Sequence, residues 1–186
     1  MAGLLSNPSN ATTLVLTPES TTPPLDGSNS IFLAGTTTTD WRRQLIRTLH
    51  ENLHTSYGPL TIYDPILPNW SEKIPMESAL DPAFRRQVEW EMSRAEDADL
   101  VVFMFGLDSS GGSKAGSGAV SLLELGLACE RARSQHDQDV VVCCEKGFWK
   151  EGHVRMVCQR YDKDNVVLVE TLQEVQEYVL RGGWHH

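Results

Sequence analysis

Glu124 stands in SLLELGLACERA (121–132), where leucines at 122, 123, 125 and 127 surround a single carboxylate in the first half of the stretch. The pattern predicts a helix, and Glu124 falls near its N-terminus, where the macrodipole favours an anion. A carboxylate kept ionised yet sheltered by leucines is what covalent catalysis at an acetal carbon requires. The opposing reading is an ordinary solvated glutamate, because Glu124 shares its helix side with Arg131. A second acid raises the same question. In FRRQVEWEMSRAEDAD, Gln87 and Glu91 lie four residues apart on one helix face, with Trp90 adjacent. An amide and a carboxyl so paired can grip a nucleobase edge through matched donors and acceptors, or simply keep a surface helix soluble.

Other motifs carry less. GTTTTDW lacks the G-x-G-x-x-G order of a dinucleotide site, and GGSKAGSG lacks the order of a P-loop. Lys114 in that loop either faces a phosphate or belongs to a flexible connection. His50 and His54 are i, i+4 on a helix with no third ligand apparent, so no metal site is expected. No serine sits in a G-x-S-x-G elbow.

The elements that must position these acids alternate in type. IFLAG (31–35) predicts a strand ending in glycine, and DWRRQLIRTLHENLH (40–54) a helix with Trp41, Leu45, Ile46, Leu49 and Leu53 on its apolar side. LTIYDP (60–65) predicts a strand stopped by Pro65. A proline-punctuated loop then leads to a helix from Asp81 to Asp97, begun by Asp81-Pro82. DLVVFMF (99–105), apolar throughout, predicts a strand covered on both faces. A Gly/Ser loop joins it to the Glu124 helix, followed by DVVVCCE, GFWKEGHVRMVCQRY, NVVLVE and TLQEVQEYVLR.

These five alternations predict an α/β fold: a flavodoxin-like, doubly wound, five-stranded parallel sheet with helices on both faces. Ligands in such sheets bind beyond the carboxyl ends of the strands, here Ala34-Gly35, Tyr63-Asp64, Phe105-Gly106 and Cys144-Glu145. Residues 1–29, rich in Ser, Thr, Asn and Pro, are expected as a flexible N-terminal tail, although TLVLT (13–17) could lie extended on the domain. Residues 30–181 form the expected domain and 182–186 a C-terminal tail, with Trp184 and the Tyr178 helix as possible contact surfaces.

A chain of 186 residues suits one well-buried domain, and 40% hydrophobic with 22% charged residues suits a soluble one. The net charge of −9 argues against a nucleic-acid polymer or an acidic membrane surface as partner. No stretch approaches a membrane span, and no signal peptide is expected near the start. Cys129, Cys143, Cys144 and Cys158 show no C-x-x-C spacing and predict reduced, mostly buried thiols in a cytoplasmic protein.

IFLAG, DWR, YDP with NW, FRRQVEWE, AEDADLVVFMF, SLLELGLA, VVVCCEKGFWKEGHVRMVC and TLQEVQEYV come in an order that resembles the nucleoside 2-deoxyribosyltransferase-like family over residues 31 to 180. The E-L-G of the Glu124 helix and the Q-x-x-W-E of the preceding helix are the most specific pieces. The resemblance implies a flavodoxin-like fold and cleavage of the N-glycosidic bond of a (deoxy)nucleoside or nucleotide, without metal or organic cofactor. It implies that Glu124 is the nucleophile and that Glu91 helps hold the base. Gly35 would let the substrate approach the backbone, and Asp64 would stand where the cleft opens. It further implies a homo-oligomer. Trp41 and Trp70 are expected as flat walls against a base, and the hydroxyls of Thr36, Ser117 and Ser121 as partners for sugar or phosphate. The chain departs from the family's usual pattern around this pocket. Gly118 stands where an acid often precedes the nucleophile, Thr36-Thr37 replace a G-S-I turn, and Asp64-Pro65-Ile66-Leu67 replace N-P-R-R. A non-catalytic, nucleoside- or nucleotide-sensing module of the same fold therefore stays open beside the enzyme.

Overall fold

The computed structural model describes residues 11–67, 78–108, 110–135, 137–163, 165–182 and 184. Its strands are β1 (Thr13–Leu16), β2 (Asn29–Gly35), β3 (Leu60–Tyr63), β4 (Leu100–Phe105), β5 (Asp139–Cys144) and β6 (Val166–Val169). Its helices are α1 (Trp41–Asn52), α2 (Pro82–Asp97), α3 (Ala119–Gln135), α4 (Glu151–Arg160) and α5 (Leu172–Arg181), with a short 3-10 turn at Thr55–Tyr57. The sheet runs β1-β3-β2-β4-β5-β6, every pairing parallel. From β3 to β6 this is the flavodoxin-like order.

The sheet has six strands rather than the five expected. The sixth is β1, which comes from the stretch expected as a tail. It pairs with β3 from Thr13 opposite Leu60 to Leu16 opposite Tyr63, and it buries Leu14 and Leu16. It covers β3, whose outer backbone groups would otherwise form the open edge of the sheet. His50 Nδ1 and Thr13 Oγ1, 2.9 Å apart, tie it to α1.

Two apolar cores lie on the two sides of the sheet, and the period of two in each strand assigns residues to them. Ile31, Leu33, Leu100, Val102, Met104, Val141 and Cys143 pack with α1 and α5. Phe32, Ala34, Val101, Phe103, Phe105, Val140, Val142 and Cys144 pack with α2, α3 and α4. The adjacent Cys143 and Cys144 thus point to opposite faces, and all four cysteines are free and buried. Trp184 is 1% exposed, sits in the α1/α5 core and donates its Nε1–H to the Val179 carbonyl at 3.1 Å. It is therefore a core residue and not the contact surface expected of it; Tyr178 packs against the same core.

Asp81 begins α2 as predicted, its Oδ1 accepting from the amides of Ala83 (2.7 Å) and Phe84 (2.9 Å), with Pro82 in the first turn. No helix among the described residues is long and apolar enough to cross a membrane.

Candidate active site

A cleft of about 290 Å³ opens at the carboxyl end of β2. There α1 leaves for one face of the sheet, and α3, which follows the neighbouring β4, lies on the other. This is the switch point at which such sheets bind ligands. β2 supplies Phe32, Ala34 and Gly35, the turn after β3 supplies Pro65 and Ile66, and α1 supplies Arg42. The walls are Phe84, Val88 and Glu91 of α2, and Gly118 with Val120, Ser121 and Glu124 of α3. Both acids singled out from the sequence line this one cleft.

Glu124 owes its place to how α3 begins. Hydrogen bonds to the loop after β5 fasten the loop before the helix. Glu145 Oε2 accepts from the Leu107 amide at 2.7 Å, and the Trp149 indole donates to the Ser117 carbonyl at 2.8 Å. The Trp149 amide donates to Ser113 Oγ at 3.2 Å. Gly118, at φ +67, turns the chain into the helix, and a Cβ there would come 3.2 Å from Thr36 Cγ2. Burial pushes the Glu124 carboxyl above the ordinary glutamate range, while the Ser121 hydroxyl, Arg42 and Arg131 pull it back. Arg131, which in the sequence argued for a solvated helix side, shares with Glu124 a small apolar cavity of about 30 Å³ behind the cleft. Its Nε donates to Gln138 Oε1 at 3.2 Å.

Glu91 is held by Gln87, which is buried. The Gln87 amide nitrogen donates to Glu91 Oε1 at 2.6 Å and to the Pro65 carbonyl at 3.0 Å, so one side chain ties α2 to the turn after β3. Burial raises the Glu91 carboxyl to about 7; the Gln87 hydrogen bond and Arg42 oppose that rise, and the charge of Glu124 adds to it.

Arg42 is the site residue that the sequence reading missed. Its Nη1 donates to the Thr36 carbonyl at 3.0 Å, and its Nη2 to the Gly35 carbonyl at 3.1 Å. The guanidinium lies over the Trp41 ring, 4.4 Å from its centroid, and Nε stands 3.6 Å from Asp64 Oδ1. Burial lowers its pKa to about 10, against the charges of Asp64, Glu124 and Glu91. One signal was available: a cation in the first turn of a helix opposes the macrodipole and needs another reason to be there.

The remaining expected residues divide. Gly35 lines the cleft at φ +124, where a Cβ would lie 2.2 Å from the Met104 carbonyl oxygen. Ser121 lines it, and Gln87 stands behind Glu91. Thr36 is buried, its hydroxyl donating to the Met104 carbonyl (3.3 Å) and accepting from the Gly106 amide (3.2 Å); Thr37 lines the cleft instead. Trp41 is a buried core residue, its indole donating to the Thr36 carbonyl at 2.8 Å, so it supports Arg42 and is not a cleft wall. Among the described residues Phe32 and Phe84 are the aromatic side chains that line the cleft. Asp64 lines an adjoining cavity of about 390 Å³, which shares Thr37, Arg42 and Ile66 with the cleft. Ser117 contributes its carbonyl to Trp149 rather than lining the cleft, and Lys114 is exposed on its loop. Trp70 lies outside the described residues. Among the described residues no cluster of three or more His, Cys, Asp or Glu could hold a metal ion; His54 instead begins the 3-10 turn, accepting from the Ser56 amide.

No curated protein matches the chain. The family described as "Nucleoside 2-deoxyribosyltransferase like" matches residues 28–148, well over half of the chain. The match takes in β2 to β5 and with them Gly35, Arg42, Glu91, Ser121 and Glu124. The chain belongs to the nucleoside 2-deoxyribosyltransferase-like family.

Proposed function

We propose that this protein cleaves the N-glycosidic bond of a (deoxy)nucleoside or nucleotide and passes the sugar to a second base or to water. The observation that carries the reading is the meeting of Glu124 and Glu91, from two helices, in one cleft with a buried arginine. A cleft of about 290 Å³ is near the lower end of the roughly 300–1,000 Å³ typical of small-molecule sites, which suits a nucleoside rather than a polymer.

The Glu124 carboxylate attacks C1′ through an oxocarbenium-like state, and the electron pair of the C1′–N bond leaves with the base. Glu91 gives its proton to a ring nitrogen of the departing base. Burial keeps that proton on Glu91 up to about pH 7, so an acid is on hand near neutrality. The products are a free base, a glycosyl ester on Glu124 and a Glu91 carboxylate. In the second step an incoming base or water attacks C1′, Glu91 takes the proton it sheds, and Glu124 returns as carboxylate. Which acceptor wins depends on how well the bound base excludes water. The scheme draws on no metal or organic cofactor.

Four free, buried cysteines fit a reducing, cytoplasmic setting. Val120, Leu123 and Leu127, exposed along α3 beside the cleft, support assembly into a homo-oligomer.

The test is to incubate wild type and Glu124→Ala with a panel of nucleosides and their 5′-monophosphates, with and without an acceptor base. Base release or exchange by the wild type alone is expected. Full activity in the variant would remove Glu124 as nucleophile. Binding without turnover by the wild type on every member would favour the sensing module.

A further inference from the structure

We propose that Arg42 is the positioning residue of this site: its locked guanidinium is the fixed cation against which the two cleft acids divide their roles, attack falling to Glu124 and proton delivery to Glu91. The inference rests on the glycosidic reading above and adds a residue that neither the sequence reading nor the family match assigns.

The first support is how the side chain is held. It is only 9% exposed, and burying a guanidinium is costly unless its donors are used. They are used on the backbone where β2 ends, at Gly35 and Thr36, with Leu33 at 3.5 Å and the Trp41 ring beneath. Nε has no hydrogen-bond acceptor and only the 3.6 Å approach of Asp64 Oδ1. The carbonyls of β2 therefore set its place, and Asp64 follows. A charge fixed to the sheet in this way cannot drift when substrate enters.

The second support is what surrounds it. Among the described residues Arg42 is the one cation lining the cleft, which holds two acids. The groups acting on them are Arg42 from α1, Gln87 from α2, and Ser121 and Arg131 from α3, with Asp64 after β3 beside Arg42 and Glu96 of α2 beside Arg131. These are not shared evenly. Glu124 has the Ser121 hydroxyl and a second cation, Arg131, behind it, whereas Glu91 has the Gln87 amide and the repulsion of Glu124. Arg42 steadies a negative charge in the cleft that both acids line, and with Arg131 and the Ser121 hydroxyl on the Glu124 side alone that charge settles on Glu124, which keeps the proton on Glu91.

The test follows the carboxyl signals of Glu91 and Glu124 by NMR of protein labelled with ¹³C-carboxyl glutamate, beside the pH profile of base release. Arg42→Met should move the Glu124 titration up by about one pH unit or more, and the acidic limb of the rate with it. Arg42→Lys should return that limb most of the way. It should leave kcat about tenfold low, because an ammonium cannot span the carbonyls of β2. Asp64→Asn guards against an Arg42 variant that fails to fold. It keeps an oxygen for the Ile66 amide, takes one anion from Arg42 and should lower both carboxyl titrations, a direction that mere loosening would not produce. Unmoved titrations in Asp64→Asn, or in a folded Arg42→Met, would overturn the proposal. A wild type that releases no base would overturn the glycosidic reading instead, leaving the charge assignment to stand or fall on the titrations.

Discussion

Helices α1 and α2 each follow a strand and each reach the cleft, yet they are held by opposite means. α1 buries Trp41, Leu45 and Leu49 against the sheet, together with the stem of Arg42. Each large apolar side chain so buried contributes roughly 1.5–3 kcal/mol, so the helix is seated by its stripe. The longer α2 has one fully buried residue, and that residue is Gln87. Its apolar contacts are partial: Trp90 stands beside Phe32 and Tyr63, with ring centroids 6.4 and 6.1 Å away, and Phe84 and Val88 face the cleft. The lesson is that α1 is placed by packing and carries one charged residue into the site, whereas α2 packs on the sheet through partly buried side chains and is tied by an amide to the acid it presents. Stability and chemistry should therefore separate along these two helices.

The sharpest way to break that contrast is Glu91→Gln. It should cut base release by about 10²–10⁴-fold while leaving the fold intact, as steady-state rates and circular dichroism would show. It should also remove the loss of rate that the wild type suffers as pH rises through about 7, where Glu91 gives up its proton. The stability sign is fixed by the same shift. The folded protein keeps this proton from the ordinary value of 4.5 up to about 7 while the unfolded chain has released it, so wild-type stability falls across that window. Above it, Glu91→Gln should be the more stable protein, by no more than about 3 kcal/mol in urea titrations. Equal pH dependence in the two proteins would contradict the assignment.

On α1 the expectation reverses. Leu49→Ala should cost about 2–5 kcal/mol of unfolding free energy and leave kcat nearly unchanged in the folded fraction. Gly35→Ala, at the junction of strand and cleft, should cost about 1–3 kcal/mol, since its Cβ meets the Met104 carbonyl at a φ that L-residues rarely adopt. Gln87→Leu should lower the rate about tenfold through a freed Glu91 and cost about 1–3 kcal/mol in urea titrations, because the buried Pro65 carbonyl and the Glu91 carboxyl lose their donor. The smallest effect belongs to the exposed surface of α2. Arg85→Ala, which removes the solvent-facing pair with Glu89, should change stability by less than about 0.5 kcal/mol and activity not at all.

The strands β2, β4 and β5 were legible because both faces of the sheet are covered, which writes a continuous apolar run. β1 was not, because a four-residue edge strand in a Ser/Thr/Pro stretch carries too little pattern to outweigh its surroundings. α4 was legible only through the alternation of elements and not through its own stripe: of its ten residues only Val154 and Cys158 are buried. In the site, Glu124 and Glu91 stood out by residue type and helix position, but periodicity alone fitted a solvated face as well, and their roles, with that of Gly35, came from the family resemblance. Trp41 could not be placed correctly from composition, since an indole serves a core as readily as a cleft. Arg42 stands in the sequence only as the last residue of the DWR motif. Its significance comes from three carbonyls at the end of another element, and no local spacing encodes them.

The most direct measurement is mass spectrometry of the peptide containing Glu124 after rapid acid quench of wild-type protein turning over a deoxynucleoside. The account predicts the added mass of one sugar on Glu124, formed as fast as base is released and absent from Glu124→Ala. Base release at full rate with every glutamate unmodified, or with the sugar on a different residue, would contradict it.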